Sequence, residues 1–480
     1  MLFNSFSFFI FFIVVSASYF LLPHRYRWIM LLLASCIFYM FFVPAYILIL
    51  FFTIIIDFIA ANLIDNSVGK KRKNWLTLSI CANVGVLAFF KYYNFLNDSL
   101  TSALGWLQTP NPIPHLDIIL PIGLSFHTFQ AMSYTIEVYK GAQKPEKHFG
   151  IFALYVMFYP QLVAGPIERP QNLLHQFHDK HYFNYHRVVE GLKLMCWGLF
   201  KKAVVADRLA PLVDAVYANP ENGTGLAAFM ATAFFAFQVY CDFSGYSDIA
   251  IGSARVMGFT LMKNFNIPFF STNLSELWKR WHISLTSWFK DYVYVPLGGN
   301  RVPKWRWYVN LIITFSLSGL WHGANWTYII WGSMQGIFLA IGAATQNSRN
   351  KFNSLFGNFQ GSFLWNVWQQ LVVFALFCSG LVFFRSQSLD NAFMLIQNGL
   401  QFSQTDFSFS VFKNNPYEFK LGIAVIIILL VMEKLMGGRY IYEWSKNFSR
   451  LFNWIFFLLL TLTILHFGVF NSNSFVYFQF

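Results

Sequence analysis

Five uncharged stretches, Phe3–Leu22, Trp28–Ile56, Trp307–Ser348, Phe352–Phe384 and Leu451–Phe480, equal or exceed the roughly 20 residues needed to cross a hydrocarbon layer. Lipid admits only backbone whose polar groups are satisfied internally, as in helices or closed barrels, and these stretches lack the alternation of barrel strands. The expected fold class is therefore all-α, a polytopic membrane protein. Trp28–Ile56 is too long for one helix and carries Pro44 near its middle, so it reads as two spans joined by a tight turn, with Asp57 on the second. The uncharged run between Arg301/Lys304/Arg306 and Arg349/Lys351 holds two more, leaving and returning to one side. The first stretch lacks a basic leader and is about twice the usual length of a signal-peptide core, so it reads as a span.

Charged residues make up only 11% of the chain and hydrophobic ones 56%, with 59 Phe. That is too little charge to solvate a globule of 480 residues. A soluble enzyme, a nucleic-acid-binding protein and a disordered scaffold are excluded. The net charge of +13 is scattered through short loops, where it reports topology. Arg25/Arg27, Lys70 to Lys73, and Arg439, Lys446 and Arg450 all fit an external N-terminus, and the same parity puts residues 471–480 outside. Five single Cys read as packing residues. Between residues 91 and 300 apolar stretches are broken by Pro, Gly and charges. Re-entrant or broken helices around a chamber are expected there. In all, about eleven to thirteen membrane-embedded helices around a central funnel are expected, in a single domain over residues 1–480.

His322 stands between small residues in GLWHGANW, Gly319–Trp326, in the middle of the longest uncharged run. An intramembrane imidazole is costly without a task, and imidazole suits proton transfer near neutrality. Gly319 and Gly323 would let a bulky substrate approach the backbone; the alternative is a hairpin histidine bonded to a carbonyl. His282 lies in SELWKRWHISLTSWFKDYVYVPLGGNR, Ser275–Arg301, where Trp278, Trp281/His282, Leu285 and Trp288/Phe289 share one face of an amphipathic helix ending at Pro296 to Gly299. An interfacial helix with an aromatic belt is the competing reading. Asp242 and Asp248, in Tyr240–Gly252, are paired carboxylates suited to acid/base work or, alternatively, to a hydrogen-bond network in a broken helix. Lys201–Leu209 (KKAVVADRL) reads as a source of internal ion pairs or headgroup contacts. His175, His178, His181 and His186 crowd beside Asp179, yet they follow a Pro-rich loop, and a surface segment without metal is the expectation. Tyr477, in the terminal SFVYFQF, is either an aromatic interface anchor or an oxygen nucleophile able to accept and pass on an acyl group.

Seven blocks in order carry a resemblance: LPIGLSFHTFQAMSYTIEVYKG from Leu120, FYPQLVAGPIERP from Phe158, GLFKKAVVADRLA from Gly198, CDFSGYSDIAIG from Cys241, the long block from Asn264 to Arg301, GLWHGANW, and VFFRS from Val382. With these the chain resembles the membrane-bound O-acyltransferase (MBOAT) superfamily, within it the alginate O-acetyltransferase (AlgI) and peptidoglycan O-acetyltransferase (PatA) branch. The resemblance implies that His322 is the catalytic histidine and His282 the second signature histidine, with Asp242, Asp248, Trp321 and Asn325 as substrate-channel candidates. It implies a family core over roughly residues 1–365, further spans and an aromatic tail over 366–480, and Tyr477 as acyl acceptor. His127 stands where another aromatic is usual, and no role attaches to it.

The function so implied is transfer of acetyl from cytosolic acetyl-CoA across a bacterial inner membrane, for O-acetylation of an extracytoplasmic polysaccharide such as alginate or peptidoglycan. Both termini would be periplasmic. A periplasmic SGNH-type esterase-like protein would be the partner, alongside membrane lipids and without nucleic acid or metal. Competing expectations are a transporter or flippase of an acyl donor or lipid, motivated by Asp57, Asp242 and Asp248, and acylation of a lipid or protein with longer chains.

Overall fold

Every regular element in the computed structural model is helical, and the model describes residues 1–163, 165–357, 360–401, 412, 416–470, 475 and 476, with the backbone alone for Asn222. Among these residues six helices are long and apolar enough to cross a membrane: Pro44–Asp65, Gly69–Trp106, Gly225–Met257, Trp326–Ala344, Phe363–Arg385 and Arg450–Phe467. The chain is a multi-pass, all-α membrane protein. The expected turn at Pro44 is present, as a short 3₁₀ segment, Pro44–Tyr46, between helices His24–Met40 and Ile47–Asp65. Lys304–His322 and Trp326–Ala344 are the two helices expected from the longest uncharged run.

Contacts divide the chain into two compact units, one of residues 1–195 and 247–262, the other of residues 196–246 and 263–480. In the first, the intramembrane carboxylate of Asp57 is absorbed by neighbouring helices. It accepts hydrogen bonds from Ser79 Oγ at 2.6 Å and Asn83 Nδ2 at 2.9 Å, while Ser79 also bonds Thr135 Oγ1 at 2.9 Å. Three helices are thereby tied through one buried acid, as low-dielectric surroundings require of a polar group.

The same unit contains an expected helix break. Helix Phe149–Met157 stops at Phe158, just before Pro160, and a short helix, Tyr159–Leu162, resumes. The freed Tyr155 carbonyl accepts from the amides of both Gln130 and Gln161 at 2.6 Å, and the Tyr159 amide donates to Ser35 Oγ at 3.1 Å. Side chains take over the bonds that the helix gives up. Further on, the fully buried Glu168 accepts from the Met262 amide at 2.5 Å and Asn172 Nδ2 at 2.6 Å, pinning the Pro-rich loop to the segment after helix Gly225–Met257.

In the second unit, Lys304–His322 and Trp326–Ala344 pack at backbone contact. A Cβ on Gly319 would stand 2.1 Å from the Tyr328 carbonyl oxygen, and one on Gly332 2.2 Å from that of Phe315. Ser316 and Ser333 add a hydroxyl bond of 2.7 Å between the helices. Two sequence expectations fail in this unit and along its central helix. Ser275–Pro296 is not one amphipathic helix: Leu274–Arg280 and Ile283–Phe289 are separated at Trp281–His282, where His282 adopts φ 43°. Asn264 stabilises the break, its carbonyl accepting from the Ile283 amide at 2.8 Å and its side-chain oxygen from Ser284 Oγ at 2.9 Å. Conversely, the break expected at Tyr240–Gly252 is absent, because Gly225–Met257 is one continuous helix of 33 residues. Its acid Asp242 is neutralised by Lys202, so the helix need not open to hydrate it.

Two measurements follow. Gly332→Ala forces a methyl group into the Phe315 carbonyl and is expected to cost about 1–3 kcal/mol, read as a lowered unfolding temperature in detergent. Glu168 lies outside the candidate spans, and burial raises its carboxyl pKa to about 7. Between the ordinary value near 4.5 and about 7 the folded state keeps a proton that the unfolded chain releases, so this group's contribution falls as pH rises through that window. Glu168→Gln mimics the protonated acid; the difference in unfolding temperature, variant minus native, should grow by about 3 °C from pH 4.5 to 7.5.

Candidate active site

His322 is the last residue of its helix because Gly323 turns extended (φ −158°, ψ 150°) and Asn325 starts the next helix, its side-chain oxygen accepting from the Thr327 amide at 3.0 Å. Asn325 also donates to the Gln387 carbonyl at 3.2 Å, which fastens the hairpin tip to the end of Phe363–Arg385. Asn325 is thus a cap with a second tether. The space at Gly319 and Gly323 that sequence reasoning gave to substrate is filled by Tyr328: its carbonyl faces Gly319 and its ring faces Gly323, 2.1 Å from where a Cβ would be.

The imidazole of His322 is 6% exposed and held edge-on among three rings, with centroids 5.0 Å from Trp321, 5.1 Å from Trp331 and 5.4 Å from Phe384. Trp331 and Phe384 lie 4.9 Å apart, so the ring has little room to turn. His282, 1% exposed, reaches the same place from the helix break, 6.3 Å from the Trp321 ring. Its Nδ1 lies 3.1 Å from Asn264 Oδ1, an oxygen that can only accept, so His282 carries its hydrogen on Nδ1 and directs the lone pair of Nε2 elsewhere. Both imidazoles thus neighbour the Trp321 ring.

Both histidines line a cavity of about 1170 Å³. Along helix Lys304–His322 its wall descends through Trp307, Leu311, Thr314, Phe315, Ser318 and His322, one helical face some ~22 Å long. Trp368, Val372 and Leu376 of Phe363–Arg385 also line it. Three cations, Lys279, Lys290 and Arg349, line it, and no carboxylate does among the described residues. Arg349 lies on helix Gln346–Ser354, past the end of the hairpin away from His322. The cavity therefore joins a nitrogen base in an aromatic setting to cationic side chains, of which Arg349 lies past the far end of the hairpin. Such a shape suits a molecule with an anionic head and a reactive group at the end of an extended chain.

Asp242 is not among the residues that line this cavity. Asp242 pairs with Lys202 at 2.6 Å, and Lys202 also pairs with Asp207 at 2.7 Å from the π-helical segment Phe200–Ala206. Asp248 is half-buried on the part of its helix that belongs to the first unit. Tyr477 lies outside the described residues. In the histidine-rich segment, His178 Nε2 is 2.7 Å from the Glu146 carboxylate and His181 Nε2 2.9 Å from the Gln176 carbonyl. Among the described residues no three His, Cys, Asp or Glu side chains converge as a metal would need. Sequence reasoning missed Asn264, whose hold on His282 spans 18 positions, and the cation set; the only written trace of the latter was that Lys290 and Arg349 stand without nearby acids other than Asp291.

Comparison with known proteins gives the family. The model of the membrane-bound O-acyltransferase family matches residues 148–386, which include both histidines, Asn264 and the cavity walls. The chain is 38% identical to a probable alginate O-acetylase AlgI of Azotobacter vinelandii, over 88% of this chain and 82% of that one. It is 36% identical to the protein of the same description in Pseudomonas aeruginosa, over 91% and 81%. To a peptidoglycan O-acetyltransferase of Helicobacter pylori it is 32% identical, over 94% and 91%. Likeness at this level along nearly the whole chain, with an all-helical membrane fold and a histidine-lined cavity, makes this chain an O-acyltransferase of the membrane-bound O-acyltransferase family.

Proposed function

We propose that this enzyme takes acetyl from acetyl-CoA and delivers it for O-acetylation of an extracytoplasmic envelope polysaccharide, alginate-like or peptidoglycan, with His322 as the general base. The observation that carries the reading is the cavity, with His322 and His282 in one part of its lining, Lys290 and Arg349 also lining it, and no acid among its described lining residues. Acetyl-CoA has that form: phosphates at one end and a thioester at the end of a flexible arm. The phosphates would be matched by the cations and the thioester by the aromatic setting of His322, where water is scarce. The acyl acceptors named for the relatives from Azotobacter and Helicobacter, alginate and peptidoglycan, support this acceptor class.

In the reaction, His322 removes the proton of an attacking hydroxyl as its oxygen bonds to the thioester carbon. The C–S bond then breaks, and the proton leaves with the thiol of CoA. His282, with its tautomer set by Asn264, is a positioning residue that holds Trp321 against His322. Tyr477 is the hydroxyl of this chain proposed to receive the acetyl first. A periplasmic SGNH-type protein would complete transfer to the polymer, in a bacterial inner membrane with both termini periplasmic. The transporter alternative loses support, since Asp57 and Asp242 are engaged in hydrogen bonds and ion pairs that tie helices together.

His322→Ala should lower acetyl transfer by about 10²–10⁴-fold at equal membrane levels, measured as base-labile acetate on purified envelope polysaccharide. Unchanged acetate would remove the base from the mechanism. Lys290→Glu and Arg349→Glu should each raise KM for acetyl-CoA by about tenfold while leaving kcat within about twofold, because they act on the phosphates and not on the thioester. The reverse pattern, kcat lost and KM kept, would place the donor elsewhere.

A further inference from the structure

Phe475 and Val476, the last described residues, are buried. After helix Arg450–Phe467 the Phe467 carbonyl accepts from Arg208, and the Val469 amide donates to the Ala203 carbonyl at 3.0 Å. The chain thus returns over the π-helical segment Phe200–Ala206 that carries Lys202. Phe475 and Val476, both buried, then lie against the central helix Gly225–Met257. The Val476 amide donates to Asp242 Oδ2 at 2.7 Å, while Asp242 Oδ1 is 2.6 Å from Lys202 Nζ. The Phe475 ring stands 4.7 Å from Tyr246 and 5.7 Å from Phe243, and Phe243 stands 4.5 Å from the His282 imidazole.

Two features make this more than a packed chain end. A carboxylate buried on an apolar helix must be neutralised, and Lys202 does so, but Lys202 is shared with Asp207. The two acids share one ammonium, and the Val476 amide gives Asp242 a further donor on its other oxygen. A backbone donor holds the chain by position, whatever side chain stands there. Second, the ring path from Phe475 through Phe243 reaches His282, which lines the donor cavity.

We propose that Asp242 is a positioning residue for acyl transfer: its Lys202-held carboxylate is the seat of the C-terminal segment, and seating that segment couples thioester cleavage at His322 to delivery of the acyl group instead of to water. The inference rests on the acyl-transfer reading of His322. Without the seat, water supplies the attacking oxygen: it bonds to the thioester carbon, the C–S bond breaks, and acetate and the thiol of CoA are released. Tyr477, the proposed acceptor, directly follows Val476 in sequence.

The test uses the full-length protein in nanodiscs, with Asp242→Ala, Asp242→Asn, and a chain ending at Ser474. Three quantities are read: hydrogen exchange at the Val476 amide, acetyl transfer to polysaccharide, and acetyl-CoA hydrolysis. Asp242→Ala should speed exchange at Val476 by at least about tenfold. It and the shortened chain should each lower transfer at least about tenfold with hydrolysis retained or raised, and combining them should lower transfer no further. Asp242→Asn keeps an oxygen for the Val476 amide and should keep most of the protection and most of the coupling. Unchanged exchange in Asp242→Ala, multiplying losses in the combined variant, or an unchanged ratio of transfer to hydrolysis would each overturn the proposal. If the native protein cleaves no acetyl-CoA, the His322 reading fails, and the exchange at Val476 still decides the seat by itself.

Discussion

Low-dielectric surroundings demand that each backbone amide, carbonyl and ionised side chain find its partner within the protein, and the departures from regular helix follow from that demand. Where the chain stops being helical, a side chain has taken over the freed bond. Gln130 and Gln161 hold the Tyr155 carbonyl at the Phe158 break, and Asn264 holds the backbone and side chains at the His282 break. Where the chain stays helical despite an acid, a cation or hydroxyls from another segment neutralise it, as at Asp242 and Asp57. Breaks are therefore positioned with some accuracy, and a break is what lets His282 face the cavity instead of continuing a helix.

The same demand explains why the proposed chemistry sits where it does. A ring buried among Trp321, Trp331 and Phe384 is fixed in orientation and shielded from water, which a thioester needs if hydrolysis is not to outrun transfer. The backbone contact between Lys304–His322 and Trp326–Ala344 at Gly319 and Gly332 keeps the hairpin tip rigid, so that His322 is presented by two helices and not by a loose turn. The other face of Lys304–His322 lines the cavity from Trp307 to His322.

Much of the architecture is written in local patterns. The uncharged run after Arg306 is legible as a helical hairpin, and Pro44 marks a turn, because length and breaker residues act within a few positions. His322 stands out by the cost of an imidazole in such a run. The errors arise where a distant residue decides. Amphipathic spacing over Ser275–Pro296 is real, yet the helix is interrupted at Trp281–His282, where the Asn264 carbonyl accepts from the Ile283 amide. Two acids and several hydroxyls in Tyr240–Gly252 resemble a broken helix, but Lys202, forty positions earlier, removes the reason to break. Gly319 and Gly323 look like room for substrate until Tyr328, a few residues on, is seen to occupy it. The cavity was the least legible feature, since its cations come from three separate helical segments.

The central claim is that one cavity carries the donor from its cationic region to His322. The most direct measurement is a cryo-EM map of the protein in nanodiscs with a thioether analogue of acetyl-CoA that cannot be cleaved. The account predicts density filling the cavity, with the phosphates beside Lys290 and Arg349 and the carbonyl carbon next to His322. Density in the reverse orientation, or a bound analogue outside the cavity, would contradict it.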